Sequence, residues 1–320
     1  MSYQNGGDPP LQPPTPGPKP NENPLQPTIS TETNLATRDA HTHLNRLITE
    51  RLSTFLHHRT NPKILELYTL ALSILQTLFA NFETAHDNLV ARDPGTNDDP
   101  HTTHLLTLLA HLPPPALRRS QVLHDDISHC QALYDRATTK IPDRTNRHLQ
   151  RDLSPNSTQF HDQLNPWLTS VPSRLQAKPH LYLAYSHVLY MALLSGGRYI
   201  RSQLASAGDE FWLPPTAVEG GTPGFAFLTF TSEEDGEDLK RGFKAGLIGF
   251  EGVLTLEERR EVVAEAEGIF EGLERLVGVL DGFGAGAEDE LMASAGGSGV
   301  RVLLFGVVGV VLLALVLVER

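Results

Sequence analysis

A single cysteine, Cys130, serves all 320 residues. One thiol excludes an intramolecular disulfide framework, a cysteine-rich zinc site and an iron–sulfur cluster, and it fits a chain facing the reducing cytosol. Basic residues are also scarce: 26 Lys and Arg against 38 Asp and Glu give a formal net charge of −12. A general nucleic-acid binder needs a basic stripe to meet phosphates, so that class drops out. The amino-terminal residues contain no apolar signal-peptide core. There is no P-loop, no GxGxxG and no HExxH. Neither an internal repeat of about 20–50 residues nor a series of alternating strands is present.

What the sequence does hold is unevenly spread. Residues 1–33 are rich in Pro, Asn, Gln and Gly ("GGDPPLQPPTPGPKPNENPLQP"). Such a composition buries no core and predicts a disordered, partly polyproline II arm. At the other end, Val302–Val318 ("VLLFGVVGVVLLALVLV") is an uncharged run of 17 residues, enough to cross a bilayer as a helix. Arg301 before it can snorkel to the interface. Residues 302–318 are therefore predicted to be a transmembrane tail anchor that leaves the preceding chain in the cytosol. The Gly-rich residues 282–301 are predicted to be a flexible linker.

Between arm and linker, residues 34–281 read as one all-α domain. In the first helix, about Leu35–Leu56, Leu44, Leu47, Ile48, Leu52 and Phe55 share one arc, and His41 falls inside it. His43 lies roughly opposite, so one histidine points into the core and its neighbour points out. Asn61 and Pro62 start a second, nearly all-apolar helix that runs to about Ala85. Thr255 and Glu258 form a capping-box signature for the last helix, which runs to about Leu280.

The segment "HLYLAYSHVLYMALLSGGRYIRSQ", His180 to Gln203, reads as a buried helix with Gly196 and Gly197 inside it. Each glycine weakens a helix interior by about 1 kcal/mol relative to alanine. Either another backbone packs very close there, or something flat lies on the helix. Other candidate chemistry is thin. His57, His58, His101 and His104 lack a carboxylate set on the same helical face and read as surface histidines. Ser195 has no strand–turn–helix setting for a nucleophile elbow. An inward His41 and a glycine pair on a buried helix fit a haem held between two helices, because neutral imidazole ligates haem iron. A satisfied core histidine accounts for His41 taken alone.

The sequence resembles the haem oxygenases in four segments that occur in the family's order. "LATRDAHTHLNR" is similar to the first helix, where a histidine–threonine pair supplies the proximal iron ligand. "LRRSQVLHDDIS" resembles the segment ahead of the distal helix, and "LYMALLSGGRYI" the distal helix itself. "FLTFTSEEDGEDLKRGFKAGL" resembles the Phe-rich stretch that follows. The resemblance covers about Leu35–Leu280 and implies the all-α haem oxygenase-like fold.

It further implies His41 as the proximal ligand to haem iron and Gly196 and Gly197 as the flexible distal glycines of the catalytic helix. Lys240 and Lys244 would face the haem propionates. The implied reaction is cleavage of haem to biliverdin, carbon monoxide and ferrous iron by oxygen. Electrons would come from NADPH through a separate flavoprotein reductase, with the endoplasmic reticulum as the membrane. Two departures matter. A family lysine ahead of the proximal histidine falls on Asn34. The family's distal Gly-Asp is Ala192-Leu193, which removes a carboxylate that anchors proton-delivering water. Two other readings therefore stand beside the first: a membrane-tethered haem-binding protein with lost or altered oxygenase activity, and a helical scaffold that binds no haem.

Overall fold

The computed structural model describes residues 27–57, 62–92, 99–138, 163–208, 212 and 224–295, with side-chain surroundings given outside 51–64, 137–138 and 283–295. Among the described residues there are nine α-helices and no strand: α1 Ile29–Ala36, α2 Arg38–His57, α3 Pro62–Val90, α4 Pro100–Leu109, α5 Ser120–Thr138, α6 Asn165–Ala177, α7 Tyr182–Ala205, α8 Glu237–Ile248 and α9 Leu256–Ala295. The predicted all-α class holds. The predicted anchor at 302–318 and most of the predicted arm lie outside the described residues.

The centre is α3, whose residues Leu67, Leu72, Leu75, Phe79 and Phe82 are fully buried and which packs on α5 and α6. Leu65–Val90 is long and apolar enough to cross a membrane, yet 67% of its most apolar stretch is buried inside the fold. It is a core helix. Helix α7 lies against α3, α8 and α9, and every residue from Leu181 to Leu194 is buried.

Three boundaries differ from the sequence reading. The expected first helix is two helices: α1 ends at its C-cap Thr37, whose backbone leaves the helical ψ (ψ 3°), and α2 starts at Arg38. Helix α1 begins at Ile29 rather than after residue 33. Thr28 caps it at Thr31 N, Ile29 is buried, and Ile29 N donates to Glu251 Oε1 at 2.8 Å. Arg259 of α9 completes this anchorage, with Nη1 2.7 Å from Glu251 Oε2 and Nη2 2.7 Å from Pro27 O. Helix α9 begins at the predicted capping box: Thr255 N donates to Glu258 Oε2 at 2.8 Å and Glu258 N to Thr255 Oγ1 at 3.2 Å. It continues to Ala295, through residues predicted as linker. The good helix formers of "AEDELMASA" outweigh the three glycines before them.

Candidate functional site

His41 sits in the first turn of α2, its backbone N–H 2.8 Å from Thr37 O. Its ring is half-buried and lies 6.0 Å from the Phe270 ring of α9, tilted by 55°. His43 is exposed, its Nδ1 3.4 Å from Arg46 Nη2. The inward and outward histidines fall where helical periodicity puts them. Burial holds the His41 pKa below its ordinary value, so the ring is neutral near pH 7. Neutral imidazole is the form that coordinates a metal.

On α7, Ala192, Leu193, Gly196 and Gly197 are buried and Ser195 is half-buried. The Ser195 hydroxyl is shielded from solvent and has no hydrogen-bond partner among the described residues. A Cβ placed on Gly197 would stand 3.5 Å from Leu228 Cδ2 and 4.0 Å from Leu228 O. Those are ordinary contacts. Packing among the described residues therefore does not demand a glycine at 197, and the cost of keeping one in a helix has another source.

Leu228 is held by a buried acid. Asp126 on α5 accepts from Ala226 N at 2.9 Å and Phe227 N at 2.8 Å, fixing the short 3-10 turn Ala226–Leu228. Burial pushes the Asp126 pKa up to about 7, and the two backbone donors oppose that rise. Beyond the glycine pair, Arg198 bonds Glu237, and Arg201 Nη1 donates to Asp235 Oδ1 at 2.8 Å. These pairs set the start of α8 against α7. The turn needs left-handed backbone at Asp235 (φ 51°) and Gly236 (φ 90°). At Gly236 a Cβ would also come within 3.0 Å of Phe230 Cδ2. Lys240 and Lys244 follow on α8, both half-buried and one helical turn apart.

Two partnerships were hidden from the sequence. Asn34 Oδ1 lies 3.0 Å from His187 Nε2 although 153 residues separate them. His101, read as a surface histidine, pairs with Glu258 at 2.9 Å. Among the described residues no group of three or more His, Cys, Asp or Glu is placed to hold a metal ion. Helix α2 packs on α7 and α9, and α8 on α7 and α1. Helix α7 with the glycine pair therefore adjoins both the helix of His41 and the helix of the two lysines, and α1 with Asn34 adjoins those same two helices.

No family model matches the chain. A curated protein of Saccharomyces cerevisiae, heme-binding protein HMX1, is 25% identical over 249 residues, which are 76% of this chain and 72% of that one. Two solved structures from the cyanobacterium Synechocystis share the architecture. Heme oxygenase-1 in complex with heme superposes with a TM-score of 0.50 at 16% identity, over 84% of this chain and 96% of that one. Heme oxygenase-2 in complex with heme and NO gives a TM-score of 0.53 at 17% identity, over 84% of this chain and 88% of that one. The chain is haem oxygenase-like.

Residue types suited to a haem stand on two packed helices of this haem oxygenase-like fold. A half-buried neutral imidazole stands on one helix. The neighbouring helix offers two glycines and a wall of Ala192 and Leu193. Nothing on that wall is a carboxylate, so the aspartate that the family places at 193 has no replacement at that position.

Proposed function

We propose that the chain binds haem between α2 and α7 and cleaves it slowly to biliverdin, carbon monoxide and ferrous iron. Haem is the substrate and, while bound, also activates the oxygen that cleaves it. His41 would hold the iron in its neutral form, which burial favours. Gly196 and Gly197 would let the α7 backbone lie close to the ring and move with it. Lys240 and Lys244 would pair with the propionates, from a helix that Arg198 and Arg201 fix against α7. The observation that carries the reading is His41, a histidine kept neutral by burial on a helix that packs beside the glycine-bearing one. The 25% identity to a protein named for heme binding supports it.

Leu193 favours a second reading, haem binding with little or no turnover. Oxygen cleavage of the ring needs protons relayed through ordered water, and an apolar wall holds none. The two readings part on one experiment. Haem is titrated into the purified chain, and biliverdin is then followed after adding NADPH and a flavoprotein reductase. A Soret band with biliverdin supports cleavage, and a Soret band without it leaves binding alone. No band at all would remove haem from the account and leave a helical scaffold.

The placement we propose is a membrane one, with residues 302–318 inserted, the helical domain in the cytosol and the reductase in the same membrane. The endoplasmic reticulum is the expected site. Of the arm expected at residues 1–33, residues 1–26 would form a solvated Pro-rich segment, because Pro27 and Thr28 are already tied to the helical domain.

A further inference from the structure

The turn Ala226–Leu228 packs on both α5 and α7. Towards α5, Asp126 is 2% exposed and takes one N–H on each oxygen, Ala226 N on Oδ1 at 2.9 Å and Phe227 N on Oδ2 at 2.8 Å. Two helical turns earlier on α5, the Arg119 guanidinium stands 4.1 Å from the centre of the Phe230 ring. From α3, Tyr68 Oη donates to Gly224 O at 2.8 Å.

Towards α7 the turn presents Leu228. Outside the helix of Gly197, only Leu228 among the described residues comes within 4 Å of a Cβ placed on that glycine. Arg201 Nη1 also reaches Leu228 O at 3.5 Å. The glycine stretch of α7 thus rests on a residue whose position is set, through two adjacent N–H groups, by one buried carboxylate.

Burial pushes the Asp126 pKa up to about 7; Asp125 adds to the rise, and the two N–H donors and the Arg119 charge oppose it. Three of the groups that face Asp126 keep their charge state near neutral pH. Burial holds the Tyr68 hydroxyl and the Cys130 thiol well above their ordinary values, and Arg119, lowered to about 10, stays a cation. Asp125 is exposed to water, and segment 224–230 brings no ionisable side chain. On α7, Arg201 is paired with Asp235. One more titratable group touches this region: His129 Nε2 lies 2.8 Å from Trp212 O, and the Trp212 ring meets Phe225 edge-on at 4.9 Å.

We propose that Asp126 is a positioning residue for the glycine stretch of α7, acting through the Ala226–Leu228 turn, and that its protonation slackens that stretch. As a carboxylate it accepts both N–H groups in charge-assisted bonds. As an acid it carries a proton on one oxygen, and the bond accepted there weakens. The turn and Leu228 then gain freedom. Gly196 and Gly197, with no side chains to hold them elsewhere, gain it with Leu228. The α7 glycines therefore tighten toward alkaline pH and loosen toward acid. The use of that motion rests on the haem-cleft reading, but the motion itself is measured without haem.

The test is amide exchange of the purified, haem-free full chain in detergent, read by mass spectrometry at pH 6 and pH 8 with times scaled for the intrinsic rate. Peptides over 224–230 and 194–201 report the turn and the glycine stretch, and peptides from α3 report the fold. In the parent both reporters should be protected about tenfold less at pH 6 than at pH 8, with α3 unchanged. Asp126→Asn has one acceptor and no titration, so both reporters should exchange fast at either pH. Asp126→Glu restores the charge and should restore the pH dependence. A parent with no pH dependence overturns the proposal, and that comparison stands even if α3 shows a variant to be unfolded. A folded Asp126→Asn chain that keeps the pH dependence overturns it too and moves the effect to His129. So does a change confined to 224–230, which leaves Asp126 supporting the turn alone. A chain that binds no haem would fail the proposed function and leave this result unaffected.

Discussion

Asn34 and His187 meet across 3.0 Å, Oδ1 to Nε2, and tie α1 to α7. Helix α1 leads directly into the helix that carries His41, so this bond joins the two sides of the proposed haem cleft. Asn34→Ala would strand the imidazole nitrogen in a part-buried site, at a cost of about 1–3 kcal/mol. The variant should unfold at lower denaturant and release haem several-fold faster, measured by transfer to apomyoglobin. Unchanged release would show that the bond holds only the fold.

His41→Ala should abolish the histidine-ligated haem spectrum, whereas His43→Ala, at an exposed position, should leave it intact. Equal effects would remove His41 as the ligand. The pH dependence follows from burial, which lowers the His41 pKa below 6.5. A depressed pKa means that the neutral ring adds stability above pH 6.5, and that this is lost as pH falls through the folded value. Haem ligation should therefore persist through pH 6.5 and fall only at more acidic pH, followed at the Soret maximum.

Asp126 titrates in the other direction. Its folded pKa of about 7 lies above the ordinary 3.8, so the native state holds this proton more tightly than the unfolded chain. Its contribution is complete below pH 3.8 and is lost as pH rises through about 7. Asn cannot ionise, so Asp126→Asn should gain stability relative to the parent between pH 4 and 7, read from urea midpoints. A parent that gains on the variant instead would mean that the Ala226 and Phe227 N–H bonds outweigh the burial.

Truncation before Arg301 should release the chain from membranes with the helical domain still folded, its circular dichroism reduced only by the helix removed, because the described helices end at Ala295. A truncated chain that still pellets after an alkaline wash would relocate the anchor.

Local signals were legible in the sequence. The Thr255–Glu258 capping box, the inward His41 and the apolar α7 each depend on residues within a few positions of one another. What was hidden depends on distance along the chain. Nothing local marks Asn34 as the partner of His187, Glu258 as that of His101, or Asp126 as the acceptor for Phe227 N. The break at Thr37 was missed because hydrogen bonding continues through it, Thr37 N to Thr33 O at 3.0 Å and His41 N to Thr37 O at 2.8 Å, and only the Thr37 backbone angle (ψ 3°) parts α1 from α2. In the candidate site, the histidine and the glycines were readable as residue types. The Ser195 hydroxyl, which no described residue bonds, was not, since only three-dimensional packing shows it.

Leu193 gives the sharpest test of turnover. It is 1% exposed, one residue from the fully buried Ala192, on the helix whose glycines would face haem. The family's pattern has Gly-Asp at these two places, where the carboxylate anchors the water that delivers protons. Leucine holds no water, and the Ser195 hydroxyl lies about 200° around the helix from it. The unmodified chain should therefore cleave haem slowly and incompletely. Ala192→Gly with Leu193→Asp restores the approach of the backbone and the acceptor together. Burying a carboxylate and adding a glycine both destabilise, so the double variant should melt earlier, by several degrees. Its biliverdin yield should nonetheless rise, roughly tenfold or more if proton delivery limits the reaction. Leu193→Asn with Ala192→Gly separates water anchoring from ionisation, because an amide can anchor water without carrying the charge. Rapid, complete biliverdin formation by the unmodified chain would refute the argument and move proton delivery to another residue.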